Sequence, residues 1–307
     1  MRIGIGLPAA VPGVDARVIG PWAAAAEQAG FASVGVIDRL VYDNLEPLTA
    51  LAAAATTTSR VELLTTVLDV GWRANPVLLG KQLASVDLLS GGRLTAGLGL
   101  GGWPEDHDVS GVPQRGGGAR LDDAVATMRA VWTGRVAGQG GPMRRLPAGR
   151  PALLFGGLVP AAFTRAATRG DGWVAPLFGH DTLLRGSGDV RAAWERAARP
   201  GEPRIVTGRY VSLGSGGGEV ADDYLRHYYG AEYWTAARAG TATTVRELHD
   251  ELARLDDAGV TDVLLYPCHA DLDQVARIAD VINDRLHHQE SWSLNTIAGL
   301  VMLQKTW

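Results

Sequence analysis

Ser90-Gly91-Gly92-Arg93-Leu94-Thr95-Ala96-Gly97-Leu98-Gly99-Leu100-Gly101-Gly102-Trp103 stops one helix, runs through a strand and leaves that strand by a glycine-paved exit. Immediately upstream, Leu78–Leu89 (LLGKQLASVDLL) repeats apolar residues three to four apart, the period of an amphipathic helix, and Gly91-Gly92 ends it. Arg93–Leu98 then reads as a short buried strand. Gly97, Gly99, Gly101 and Gly102 strip the carboxyl end of that strand of side chains, so a flat ligand can approach its backbone.

The same helix-strand alternation extends in both directions. Strands are expected at Arg2–Leu7, Ser33–Ile37, Val61–Leu68, Arg93–Leu98, Ala152–Phe155, Gly172–Ala175, Arg204–Leu213 and Asp262–Tyr266. Helices are expected at Asp15–Ala29, Pro47–Thr58, Pro76–Leu89, Leu121–Trp132, Pro160–Thr168, Asp181–Ala198, Val245–Asp257 and Asp271–Leu286. Eight strands, each followed by a helix, close an α/β barrel of the TIM type, an eight-stranded parallel (β/α) barrel; a doubly wound open sheet is the rival. The reading is one barrel domain over 1–286 with rim insertions at about 133–150 and 214–240, and a C-terminal tail at 287–307 of different character. Thr133–Arg150 is rich in Gly, Pro and Arg and reads as a loop or flap. Gly214–Gly240 begins with GSGGG and turns helical through Tyr224, Tyr228, Tyr229, Tyr233 and Trp234, a stripe that packs on the body or covers a pocket.

Composition bounds the partners. At 307 residues and 46% hydrophobic content the chain can bury one large core, and such lengths are routine for α/β barrels. A net charge of −4 with interspersed signs argues against nucleic acid and anionic membranes as partners. Cys268 is the only cysteine, which argues against a disulfide framework or a cysteine metal cluster, and no metal site is expected. Met1–Pro8 lacks the apolar core and cleavage site of a signal peptide, and no run of about 18 apolar residues occurs, so a cytoplasmic protein without a membrane span is expected. No G-x-G-x-x-G motif follows the first strand, which argues against a separate nicotinamide domain.

Several stretches carry a resemblance: AAEQAGFASVGVIDR (Ala25–Arg39), the run from Glu46 to Gly102, GARLDDAVATMRAVWTG (Gly118–Gly134), FGGLVPAAFTRAATRGDGW (Phe155–Trp173) and LDDAGVTDVLLYP (Leu255–Pro267). In this order they resemble the luciferase-like flavin-dependent monooxygenases, from Met1 to about Val281. The resemblance implies a TIM-type barrel holding reduced FMN, or its deazaflavin relative coenzyme F-420, at the carboxyl ends of the strands. It implies a monooxygenase that receives reduced FMN from a separate flavin reductase and transfers one oxygen atom of O2 to a small organic substrate. Hydride transfer by coenzyme F-420 is the alternative, and a non-catalytic flavin-binding or partner-binding barrel is another. A homodimer is implied as well.

Site candidates follow from both sources. Phe155-Gly156-Gly157-Leu158, with Pro160 opening a helix, offers backbone N–H groups and a positive dipole end, which suit a phosphate; a plain tight turn is the alternative. Arg120, at a helix start where the dipole does not favour a cation, is implied by the resemblance to hold the cofactor phosphate. By resemblance, Val67 and Leu68 lie at a bulge behind the ring system where relatives carry a cis peptide, Leu100 and Gly102 border the ring, and Ala175 and Pro176 close its other side. Asp38 and Arg39, the catalytic candidates, stand where relatives place an acidic residue and a histidine. Arg39 cannot lose its proton and so cannot serve as a base; it binds an anion, steadies a reduced flavin, or pairs with Asp38 or neighbours at the rim. Trp72, Arg73 and Trp103 follow the third and fourth strands as substrate contacts or packing wedges. Asp106-His107-Asp108 reads as a solvated acidic loop, and Cys268-His269 as a poor nucleophile-base pair, because adjacent residues of an extended chain point apart.

Overall fold

The computed structural model describes residues 1–285. The tail at 287–307 and the last residue of the helix expected over Asp271–Leu286 lie outside the described residues; 273–285 are helical. In chain order the strands are β1 (Arg2–Gly6), β2 (Ser33–Val36), β3 (Glu62–Asp69), β4 (Leu94–Gly99), β5 (Ala137–Gly138), β6 (Gly141–Pro142), β7 (Ala152–Gly156), β8 (Gly172–Val174), β9 (Arg204–Val211) and β10 (Asp262–Pro267). The helices are α1 (Ile19–Gln28), α2 (Pro47–Thr57), α3 (Pro76–Leu89), α4 (Pro104–Ser110), α5 (Gly117–Trp132), α6 (Pro160–Arg169), α7 (His180–Arg196), α8 (Gly217–Ala239) and α9 (Val245–Asp257). All strands except β5 and β6 form one closed barrel in the order β1, β10, β9, β8, β7, β4, β3, β2, with every pairing parallel. The open-sheet rival is excluded. No helix among the described residues is long and apolar enough to cross a membrane.

Around β4 the local chemistry is explicit. Asn75 caps α3 by accepting from the Leu78 N–H at 3.0 Å, Pro76 occupies its first turn, and Gly91 and Gly92 end it at φ +70° and +88°. Arg93 then ties the end of α2 to the new strand, donating to the carbonyls of Ala55, Thr58, Val61 and Ser90 at 2.7–3.1 Å. Every residue of β4 is buried, as expected for a strand covered on both faces.

Tyr266 on β10 fills the barrel interior, and glycines make room for it. A Cβ at Gly6 of β1 would fall 2.1 Å from its ring, and one at Gly208 of β9 would fall 3.0 Å from it. The tyrosine hydroxyl meets Thr66 Oγ1 of β3 at 2.6 Å. At the amino-terminal floor, Arg204 of β9 donates to both carboxylate oxygens of Glu62 on β3 (2.7 and 2.8 Å) and of Asp262 on β10 (2.8 and 2.9 Å). Arg2 of β1 joins both carboxylates, and Thr95 of β4 hydrogen-bonds Glu62. One charge cluster therefore spans five barrel strands.

Both rim insertions acquire structure. The first carries the β5–β6 hairpin. The second is α8, with a break at Gly230 (φ 64°, ψ −170°), and it lays its tyrosines over the barrel mouth. Tyr224 and Tyr228 are buried, and the Tyr229 hydroxyl meets that of Tyr210 on β9 at 2.9 Å. Tyr224, Tyr228 and Tyr229 thus pack on the body at the mouth, whereas Tyr233, past the break, is exposed. One expectation fails outright: Asp106-His107-Asp108 is no solvated loop but part of α4, with Asp106 and His107 buried. The Asp106 carboxylate accepts the N–H groups of Leu40 and Val41 at 3.0 and 2.8 Å, partners from a distant loop that local sequence does not reveal.

Burial alone would raise the pKa values of Glu62 and Asp262, but the Arg204 hydrogen bonds and charge outweigh it and hold both below the usual carboxylate range. Depressed native pKa values mean a contribution fully present above the unfolded-state values near pH ~4 and lost as pH falls through the lower native ones. Arg204→Met strands two poorly solvated carboxylates, and we expect urea unfolding to show a loss of about 3–5 kcal/mol at pH 7. The deficit relative to wild type should shrink in acid as the carboxyls protonate; an undiminished deficit at pH ~3 would contradict the assignment.

Candidate functional site

At the carboxyl ends of β3, β4 and β7 the barrel opens into a cleft of about 320 Å³, lined by Val67, Asp69, Gly99–Gly102, Gly118, Gly156, Gly157, Val159, Ala161, Ala162 and Arg165. Its shape begins in β3. The Thr66–Val67 peptide is cis, and the β3–β4 register shifts between Thr65 and Leu68. Val67 lies against the glycine strand ends, where a Cβ at Gly99 would fall 2.5 Å from Val67 Cγ2 and one at Gly156 would fall 3.1 Å from Val67 Cγ1. Any larger residue at either place would fill the floor. Gly157, at φ +121°, turns the chain from β7 toward α6, whose cap residue Val159 offers no side-chain hydrogen bond to the helix end.

Two charged side chains enter this apolar, backbone-lined space. Arg165 on α6 is buried; it donates to Asp122 Oδ1 and Oδ2 (2.8 and 3.1 Å) and to Gly118 O (3.2 Å), and its Nη1 has no hydrogen-bond partner among the described residues. Asp69 closes β3 and is also buried. Its N–H donates to Asp38 Oδ2 at 2.8 Å and its carbonyl accepts from Arg73 Nη1 at 2.6 Å. Burial, reinforced by the nearby Asp38 charge, pushes the Asp69 carboxyl well above the ordinary range.

Of the residues anticipated as cofactor contacts, the structure brings Val67, Leu100, Gly102, Gly156 and Gly157 together on the cleft. Leu68 instead packs in the core, Leu158 is exposed, and Ala175 and Pro176 are not among the lining residues; the Ala175 N–H is paired with Val206 O and the Pro176 carbonyl with Thr207 Oγ1. Arg120 folds back on its own loop, donating to the carbonyls of Pro113 and Arg115, and Arg165 lines the cleft instead. Asp38 and Arg39 do not pair with each other. Asp38 binds Arg73 at 2.6 Å, while Arg39 binds Glu105 at 2.6 Å, donates to Tyr228 O at 3.0 Å and lies 3.7 Å over the Trp103 ring. Arg73 stacks on Trp72 at 4.0 Å. Trp72, Arg73 and Trp103 are thus engaged in packing, outside the cleft lining. Burial pushes the Cys268 thiol up, which removes it as a nucleophile.

Asp69 and Arg165 went unrecognised in the sequence, though each left a signal. Asp69 is the charged residue that closes β3, after Val67-Leu68, at the end where barrel catalysis is built. Arg165 falls three residues after Ala162, on the buried face of α6 that begins just past Gly156-Gly157.

Residues 1–281 match the family model for luciferase-like monooxygenases. The chain is 30% identical over 226 residues to an uncharacterised protein of Mycobacterium tuberculosis, covering 72% of this chain and 68% of that one. A monooxygenase from Streptomyces bottropensis superposes with a TM-score of 0.80 at 22% identity, covering 94% of this chain and all of that one. An F420-dependent secondary alcohol dehydrogenase, solved with an F420–acetone adduct, superposes with a TM-score of 0.73 at 19% identity over 92% of this chain and 97% of that one. A cleft at the strand ends of a parallel barrel and a family match over residues 1–281 lead to one assignment: the chain belongs to the luciferase-like monooxygenase family.

Proposed function

We propose that the cleft holds reduced FMN and that the chain is the oxygenating component of a flavin-dependent monooxygenase acting on a small organic substrate. The observation that carries the reading is the cleft itself: a flat, backbone-lined slot that ends at a buried arginine and an uncapped helix start. Val67, Gly99–Gly102 and Gly156 would bracket the ring system, where planar apolar contact orients the ring and excludes water. The amino end of α6, Gly157 and Arg165 would hold the terminal phosphate, since the helix dipole and a guanidinium both favour a dianion. A Cβ at Gly101 would lie 3.2 Å from Asp69 Cγ, so side chains at these strand ends would fill the slot.

When bound, reduced FMN supplies the two electrons that split dioxygen, one atom entering the substrate and the other leaving as water. The chain's own residues supply position and dryness. Arg39 ties α4 to α8 through Glu105 and Tyr228 O, and so holds the tyrosine cover over the mouth. Alcohol oxidation by hydride transfer to coenzyme F-420 would need a base for the hydroxyl proton. Arg39 cannot be that base, and the carboxyl in the cleft, Asp69, is driven toward its protonated form.

Anaerobic titration with FMN and with coenzyme F-420, each oxidised and reduced, tests the reading. We expect reduced FMN to bind in the micromolar range or tighter and the deazaflavin at least tenfold more weakly; the reverse order would favour hydride transfer, and binding of neither would remove the enzyme reading. Arg165→Ala should weaken FMN affinity about 10- to 100-fold, the usual loss for a charged hydrogen-bonding partner of about 1.5–3 kcal/mol, and leave riboflavin, which lacks the phosphate, unaffected. Equal weakening of both ligands would place Arg165 away from the phosphate.

A further inference from the structure

We propose that Asp69 is the proton donor of the cleft, a carboxylic acid that gives a hydrogen bond to the bound ligand and lends its proton to the oxygen atom that leaves as water. The proposal rests on the monooxygenase reading and assigns within it a catalytic residue.

Geometry carries the assignment. Asp69 is 5% exposed, yet neither carboxyl oxygen has a hydrogen-bond or ion-pair partner among the described residues; its backbone alone is clamped, through Asp38 Oδ2 and Arg73 Nη1. Glycine leaves the carboxyl uncovered: a Cβ at Gly101 would lie 3.3 Å from Oδ2 and one at Gly99 would lie 3.7 Å from Oδ1. The group therefore faces the same glycine strand ends that pave the cleft. Both oxygens open onto the cleft, where a bound ligand is the partner within reach.

The surrounding charges keep the proton on Asp69. Burial is the largest influence, and Asp38 at the end of β2 and Asp106 on α4 add like charge, whereas Arg73 and Arg39 oppose them. Both arginines are engaged elsewhere, Arg73 with Asp38 and Glu46 and Arg39 with Glu105 and the Tyr228 carbonyl. Tyr228 on α8 is held in its neutral form chiefly by burial. Burial raises Asp38 as well, and its Oδ1 is buried without a partner, but Arg73 and the Asp69 N–H favour its charged form, whereas the Asp69 carboxyl has no donor among the described residues. With O2 and substrate present, reduced FMN would supply two electrons and two hydrogens, enough for one oxygen atom to enter the substrate and the other to leave as water. Asp69 would lend a proton to the departing oxygen and regain one from those two hydrogens, so the cycle balances with Asp69 protonated.

The test has two arms. In the protein without cofactor, infrared difference spectroscopy between wild type and Asp69→Asn at pH 7 should show a protonated-carboxyl C=O band lost in the variant; a lost carboxylate band instead would overturn the proposal. With reduced FMN bound and no organic substrate added, two electrons and two hydrogens leave with both oxygen atoms as hydrogen peroxide, so the rate of re-oxidation by O2, followed against pH, reads proton delivery to the departing oxygen. Wild type should lose rate as pH rises and Asp69 ionises, and Asp69→Asn, with binding within about threefold of wild type, should be at least 100-fold slower with no such break, in line with a general acid. Asp38→Asn removes a neighbouring negative charge and should move the wild-type break to lower pH, a shift that a purely structural role would not produce. A variant that re-oxidises at the wild-type rate with the wild-type profile overturns the donor role. Failure of FMN to bind removes the reading beneath it and the donor role with it, and the infrared arm still shows separately whether Asp69 carries a proton.

Discussion

The guanidinium of Arg204 is the interaction on which the barrel's geometry depends. Set among Glu62, Asp262, Arg2 and Thr95, it joins β9 to β3 and β10, and through shared carboxylates to β1 and β4. A parallel barrel has no edges to define its register, and a slip by one residue turns every side chain to the other face. An arginine that forks into two carboxylates at fixed distances resists that slip. With the floor pinned, the β3–β4 shift between Thr65 and Leu68 becomes a local event, and its whole effect appears at the opposite end, where Val67 meets Gly99 and Gly156.

The two ends of the barrel treat charge in opposite ways. At the floor every carboxylate oxygen of Glu62 and Asp262 has a donor, and both acids are held in their ionised form. At the mouth, Asp69 has a carboxyl without a partner and Arg165 has a guanidinium nitrogen without one. Both groups open onto the cleft, so their partner is whatever the cleft takes in. The tyrosine cover intensifies the contrast. Tyr224 and Tyr228 of α8 exclude water from the mouth, which strengthens each electrostatic interaction inside and disfavours ionisation of a lone carboxyl.

The barrel was legible in the sequence because each of its strands is a short apolar run between helices whose caps are written in residue types. Asn75-Pro76 before α3, Gly91-Gly92 after it and Thr244 with Glu247 at the start of α9 are local signals, and local structure obeys them. The α4 helix was not legible, because Pro104-Glu105-Asp106-His107-Asp108 is polar and its burial depends on the N–H groups of Leu40 and Val41. For the same reason the residue types at the rim were readable and their partners were not. Asp38 finds Arg73, and Arg39 finds Glu105 and Tyr228, across 35 to 189 residues of chain. Arg120 and Arg165 show the limit most plainly. Both stand near the cleft, and only the path of the loop at Pro113–Arg115 decides that the first turns back to it while the second lines the slot.

Arg39 links the cover to the chemistry below it. Its charge sits within reach of Asp69, where it opposes proton retention, yet its hydrogen bonds to Glu105 and Tyr228 O hold the cover that dries the site. A histidine at this position could exchange protons but could not span Glu105, the Tyr228 carbonyl and the Trp103 face at once. The arginine thus gives up proton exchange in return for closure, and Asp69, the only cleft-lining carboxyl among the described residues, is left to carry the proton.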